Sequence, residues 1–196
     1  MNLVERVKKI LLSPKEEWVV IDQETTSVAD LITKYLLPLA LIPAIASLIG
    51  FGFLSGGAFL GWGIKQAIMS FLTTILSAYL AALVINALSS SFGSQNDFRK
   101  AMQLVIYSFT PMMVAGILYV IPSLGIIASL AGIYGLYILY LGFSPLMKTP
   151  EDKLVGYFIV SLIVIIAIYA ILMAILAAIL AVFFLTSVAA TIPHGM

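Results

Sequence analysis

Residues 101–147 read AMQLVIYSFTPMMVAGILYVIPSLGIIASLAGIYGLYILYLGFSPLM, and between Lys100 and Lys148 no Asp, Glu, Lys, Arg or His interrupts them. Crossing roughly 30 Å of hydrocarbon takes about 20 apolar residues at a rise of about 1.5 Å each. The stretch is therefore too long for one crossing and must be divided. Pro122, Ser123 and Gly125 supply the turn, because proline disfavours helix at the residue before it and glycine adopts the backbone angles of a tight corner. Two spans result, at about 102–121 and 124–144. A cut at Pro111 leaves pieces too short to cross, so Pro111 reads as a kink. It cannot donate to the carbonyl of Tyr107, which the hydroxyl of Thr110 or a neighbouring helix would then satisfy.

Outward from this stretch, charge is also missing between Lys34 and Lys65, between Lys65 and Asp97, and from Leu154 to the end. The first two give spans at about 31–54 and 65–91, joined by a run containing Gly52, Gly56, Gly57, Gly61 and Gly63. The last has no Gly or Pro from Tyr157 until Pro193. Without a turn it reads as one helix over 154–187, near 50 Å long by the same rise, which must tilt or project from the bilayer. The expectation is an all-α, polytopic membrane helical bundle of five transmembrane helices. A 1–30 segment of short amphipathic helices precedes the 31–190 transmembrane domain, and a 191–196 tail follows it.

Composition agrees with a membrane class. Hydrophobic residues make up 62% of the 196-residue chain and charged residues 10%, against about 25% charged in a soluble domain. A formal net charge of +1 gives no field for nucleic acid. Cysteine is absent, which removes disulfides, thiolate metal sites and cysteine nucleophiles. The lone histidine, His194, reads as a solvated tail residue. Met1 to Lys34 scatters basic and acidic residues among its apolar positions, so it does not read as a cleaved signal peptide.

Basic residues test the topology. Arg6, Lys8, Lys9, Lys15, Lys34, Arg99, Lys100, Lys148 and Lys153 fall on one side of five spans, and Lys65 alone on the other. The rule puts the N-terminus in the cytoplasm and the C-terminus outside a cytoplasmic membrane. Within the first segment, Leu3, Val4, Val7, Ile10 and Leu11 share one helical face, with Glu5, Arg6, Lys8 and Lys9 largely opposite, which suits a helix on the membrane surface. Ser13-Pro14-Lys15-Glu16 reads as a capping box with proline at the first helical position. Trp18 either anchors the next helix at headgroup level or packs against the bundle. Ser27 with Asp30 opens the first span.

Small residues recur four apart at Ala40/Ala44, Gly52/Gly56, Gly57/Gly61, Ala128/Gly132 and Ala170/Ala174/Ala178, as close helix approach in lipid requires; a dimer seam is the sharper reading. A mildly polar stripe runs along Gln66, Ser70, Thr74 and Ser77 with Asn86 deeper, and another joins Gln103, Tyr107 and Thr110. They are candidates for lining a polar cavity, or they are interhelical hydrogen bonds worth about 0.6 kcal/mol each. Tyr134, Tyr137 and Tyr140 suit an interface belt or packing. No ionisable residue lies well inside a span, which disfavours ion-coupled transport. H-E-x-x-H, G-x-S-x-G and paired intramembrane aspartates are all missing. No catalytic, metal or cofactor site is expected.

The chain resembles prokaryotic members of the Yip1 family of membrane proteins. The likeness rests on Ser13-Pro14-Lys15-Glu16-Glu17-Trp18, on Tyr35-Leu36-Leu37-Pro38 leading to Ile49-Gly50, and on Tyr107-Ser108-Phe109-Thr110-Pro111. Ile121-Pro122 with Gly125, Tyr137 through Gly142, and Met147-Lys148-Thr149-Pro150 extend it. The resemblance implies five spans behind a cytoplasmic segment and a non-enzymatic role, eukaryotic relatives acting in vesicle trafficking with small prenylated GTPases and with each other. Fold and topology are carried over, and the GTPase partner is not, because the segment before the first span is short. Two functions follow: a scaffold or membrane-organising, trafficking-like protein acting through helix and lipid contacts, or an uncoupled transporter or lipid-handling, scramblase-like protein. The expected partners are membrane lipids and a second copy of the chain or other membrane proteins.

Overall fold

The computed structural model describes residues 2–54 and 60–191, with side chains described through Ile171 and at Ala174 and Ile175. Gly56, Gly57, His194 and the side chain of Ala178 lie outside the described residues. Seven helices and no strand are present among those described. Helix α1 is Leu3–Leu12 and α2 is Pro14–Asp22. The five long apolar helices are α3 (Val28–Phe53), α4 (Leu60–Phe92), α5 (Phe98–Val120) and α6 (Pro122–Met147), with α7 (Glu151–Thr191) last. The chain is a multi-pass membrane protein of all-α architecture.

Local chemistry sets the helix boundaries. Ser27 caps α3, its Oγ accepting from the Asp30 N–H at 3.0 Å. At Ser13 the expected capping box does not form. Its N–H is already donated to the Lys9 carbonyl at 2.8 Å, so nothing remains for Glu16 to accept, and its hydroxyl makes no cap bond. Proline at the first position, with Glu16 and Glu17 in the first turn, starts α2. Helix α3 widens to π geometry over Ile32–Leu36, where the Leu37 N–H reaches back to the Ile32 carbonyl just before Pro38. An inserted residue of this kind is a usual accommodation for a missing donor. Thr110 Oγ1 donates to the Tyr107 carbonyl at 2.7 Å beside Pro111, the substitution expected for that kink. Helix α6 ends on Lys148 at φ 51°.

The bundle has two storeys. In α3, residues 35–53 carry no charge, and at about 1.5 Å each they extend roughly 29 Å, one hydrocarbon thickness. Lys34 is therefore the last charge before a run long enough to cross. Beyond it, on the basic side, large side chains are buried all round: every residue of 100–108 in α5, Phe143, Leu146 and Met147 in α6, and Tyr157 in α7. On the other side the helices turn Ile126, Ile133, Ile163 and Ile166 outward, as lipid permits. The length of α7 thus has a cause, since its first turns belong to the basic-end headpiece. There Tyr157 donates to the Ile85 carbonyl of α4 and stacks on Phe92 at 5.0 Å.

Helices α1 and α2 pack against the bundle and complete the headpiece. Trp18 is 0% exposed and its indole N–H donates to the Ile138 carbonyl of α6 at 3.0 Å. Of the two readings of Trp18, packing against the bundle holds. The inward face of α1 is also not the one expected: Arg6 joins Ile10 inside, while Val4 faces out. A buried counterion, described below, makes that inversion favourable.

Glycines mark where helices touch. A Cβ on Gly142 would stand 2.4 Å from Leu104 and 2.8 Å from the Trp18 ring. One on Gly63 would stand 2.5 Å from the backbone of Gly52, and one on Gly116 2.6 Å from Pro43. Ala40 and Ala44 are buried within the chain as well, whereas a Cβ on Gly61 or Gly132 would meet nothing within 4 Å. Gly142→Ala is expected to cost about 1–3 kcal/mol through overpacking and to loosen Trp18. Gly132→Ala, which meets no neighbour, should hold stability or raise it by up to about 1 kcal/mol. Thermal unfolding of both variants in detergent, with Trp18 emission read in a Trp62→Phe background, checks the contrast.

Candidate functional site

The site grows from Trp18. Its ring meets Tyr107 edge-on at 6.2 Å, and Tyr107 meets Tyr35 edge-on at 4.7 Å. Tyr35 OH lies 2.8 Å from Thr110 Oγ1, the hydroxyl that serves the kink at Pro111. A chain of packed rings and hydroxyls thus joins α2, α3 and α5, and the notch at Gly142 admits it to α6. Four stretches scattered along the sequence meet here.

Arg6 closes this cluster from α1. Its guanidinium is held by Glu17 and Glu24 and lies 5.4 Å from the centre of the Tyr107 ring. Arg6 and Glu17 are both buried, at 5% and 3% exposure. A guanidinium suits this role because it stays charged and presents donors in two directions at once. The sequence held a signal for it in Leu3, Arg6, Val7 and Ile10, whose helical spacing places the arginine on the apolar face. Glu17, at the next residue to Trp18, gave no such sign.

A second clamp ties the end of α2 to the bundle. Asp22 pairs with Lys148 at 2.5 Å and with Lys100 at 3.3 Å, and Lys100 also donates to the Ile21 and Asp22 carbonyls. Partial burial pushes the Asp22 carboxyl up, but hydrogen bonds from Lys148 and Lys100 outweigh it and hold the group below the usual carboxylate range.

Around Arg6 opens a cavity of about 670 Å³ between α1, the 23–27 loop, α3 and α5. Arg6, Glu24, Asp30, Lys34, Tyr35 and Tyr107 line it, with the hydroxyl residues of the loop. Lys34 and Asp30 pair with each other at its mouth. Tyr107 is the one residue of the two polar stripes in this lining.

The rest of the stripes are dispersed. Gln66 and Ser70 are half-buried, and Thr74 Oγ1 donates to the Ser70 carbonyl of its own helix at 2.8 Å. Ser77 borders a small apolar cleft with Ile165 and Tyr169 of α7. The Asn86 carbonyl oxygen of the backbone accepts from Ser89 and Asn96. Its side-chain oxygen and both amide atoms of the fully buried Gln103 make no hydrogen bond among the described residues. Elsewhere, Tyr134 donates to the Leu11 carbonyl at 2.7 Å and stacks on Tyr137, and Tyr140 meets Phe158 edge-on. Pro122 opens α6, Gly125 lies against the Tyr119 ring, and the Pro150 carbonyl accepts from Lys153.

Arg6→Ala leaves Glu17 buried without a partner, which costs about 3–5 kcal/mol. It should release α1 and α2 to trypsin at Lys8 and Lys15, and Arg6→Met with Glu17→Gln should restore protection. Because the Asp22 pKa is lowered by folding, its contribution is present above the unfolded value of 3.8 and is lost as pH falls through the lower folded value. Acid release of α2, followed by Trp18 emission, should therefore begin below pH 3.8. Asp22→Asn should remove that step.

No curated protein and no solved structure matches this chain. The family model described as the Yip1 domain matches residues 8–175, from inside α1 into α7, a stretch that includes Trp18, Tyr107, Pro111 and Gly142. A match over that much of the sequence shows that the chain belongs to the Yip1 family.

Proposed function

We propose that the protein is a non-catalytic membrane-organising scaffold with its basic end toward the cytoplasm. The observation that carries this reading is the one-sided headpiece. Helices α1 and α2 are fixed to the bundle at one membrane boundary only, and their shared corner puts Leu12 outward at 78% exposure beside Tyr134. Val4, Val19 and Val20 are exposed on the same pair of helices. An apolar corner held there adds volume to one leaflet, as an interfacial helix buried about 5–10 Å does. Fixing it to five spans makes the wedge permanent. The distribution of basic residues supports the orientation. The part of the bundle below Lys34 carries Lys65 as its charged residue, a composition suited to lipid contact and not to acid–base chemistry.

Helices that meet lipid over most of their surface also support lateral association. Ala170 and Ala174 of α7 face outward, where a second copy or another membrane protein can approach closely. The wedge is tested by reconstitution. The full chain in vesicles is expected to narrow their diameter as protein density rises, seen by electron cryomicroscopy. Leu12→Ser with Val4→Ser should abolish the narrowing while leaving the unfolding temperature intact. Equal narrowing by this variant contradicts the wedge.

A further inference from the structure

The cavity beside Arg6 has the chemistry and depth of a lipid headgroup site. Its mouth is the Lys34–Asp30 pair, at the residue where the uncharged run of α3 begins, so it opens at the boundary between hydrocarbon and water. Its volume, about 670 Å³, lies within the range of small-molecule sites. Its inner wall is built rather than incidental: Arg6 is buried there and held from two sides.

Charge decides the ligand. Arg6 is met by both Glu17 and Glu24, and Lys34 by Asp30. The lining carries two cations, Arg6 and Lys34, and two carboxylates, Glu24 and Asp30, and Glu17, outside the lining, also pairs with Arg6, so an anionic headgroup would find no cation that is not already neutralised. A zwitterion adds no net charge. Glu24 engages Arg6 through Oε1 and keeps part of its carboxylate open, at 28% side-chain exposure. Lys34, 77% exposed at the mouth, can offer its ammonium to a phosphate, and Thr25 and Thr26 of the loop line the same cavity. A quaternary ammonium would need open aromatic faces, but the Tyr107 ring is already covered by Arg6 and the Tyr35 ring is buried against Tyr107. A primary ammonium needs hydrogen-bond acceptors, which carboxylates supply.

We propose that this cavity binds the phosphoethanolamine headgroup of a phospholipid in the leaflet at the basic end, with the ammonium at Glu24 and the phosphate at Lys34. The site stands independently of the scaffold reading and of which side the basic end faces.

The test uses the full chain reconstituted in vesicles of equal phosphatidylethanolamine, phosphatidylcholine and phosphatidylglycerol, then extracted in mild detergent, with retained lipid counted by native mass spectrometry. Phosphatidylethanolamine should be retained about tenfold over each of the others, the size of one charge-assisted hydrogen bond. Glu24→Gln should erase the preference over phosphatidylcholine, and Lys34→Glu should lower retention of phosphatidylethanolamine itself. Lys34 is exposed, so the second variant reads the site even where the first fails to fold. Equal or greater retention of phosphatidylglycerol overturns the proposal, as does a lipid profile unchanged in Lys34→Glu. Equal retention of phosphatidylcholine by the unsubstituted chain overturns the role of Glu24. If no phospholipid is retained and soluble phosphoethanolamine alone shifts the unfolding temperature, the ligand is a free zwitterion and the lipid assignment fails.

Discussion

An indole N–H from an N-terminal helix, donated to a carbonyl in the body of α6, is the contact on which the headpiece rests. Trp18 reaches Ile138 only because Gly142 presents no side chain one turn further on. That carbonyl lies roughly 15 Å from Lys148 at the helical rise, so α2 runs along the bundle, not across its end. Once Trp18 is seated, Tyr107, Tyr35 and Thr110 have their neighbours, Arg6 has a ring to lie over, and Asp22 falls between Lys100 and Lys148. Each of these depends on α2 being where the indole fixes it.

The arrangement also reconciles two solvents. Toward the far end, apolar side chains point outward and helix association relies on close approach, as at Gly52 with Gly63 and Gly116 with Pro43. Toward the basic end, apolar side chains point inward and charged groups are paired, as in a water-soluble core. Helices of unequal length follow directly, because α7 must pass through both regions. The polar cavity lies beside Lys34, where the uncharged run of α3 begins.

The gross fold was legible in the sequence because lipid imposes a coarse rule. Uncharged runs between Lys34, Lys65, Asp97, Lys100 and Lys148 define the spans, and Pro122 with Gly125 divides the longest of them. The kink at Pro111 and its repair by Thr110 were readable for the same reason, since a missing donor in lipid must be compensated nearby. What escaped was pairing at a distance. Arg6 was assigned to the wet face because charge normally seeks water, and only tertiary placement of Glu17 and Glu24 reverses that preference. The capping box at Ser13 failed for a local reason the motif does not encode, since the N–H it requires was already used to end α1. Gln103 and Tyr107 share a helix face four residues apart, yet only Tyr107 lines the cavity, a distinction set by where α1 and α3 lie.

Hydrogen exchange of the full chain in lipid nanodiscs, read by mass spectrometry over residues 4–21, tests the central claim most directly. If the N-terminal helices are part of the bundle core, their amides exchange as slowly as those of 100–108 in α5. Complete exchange of 4–21 within seconds, with 100–108 still protected, would show a surface segment that comes and goes, and would contradict the account.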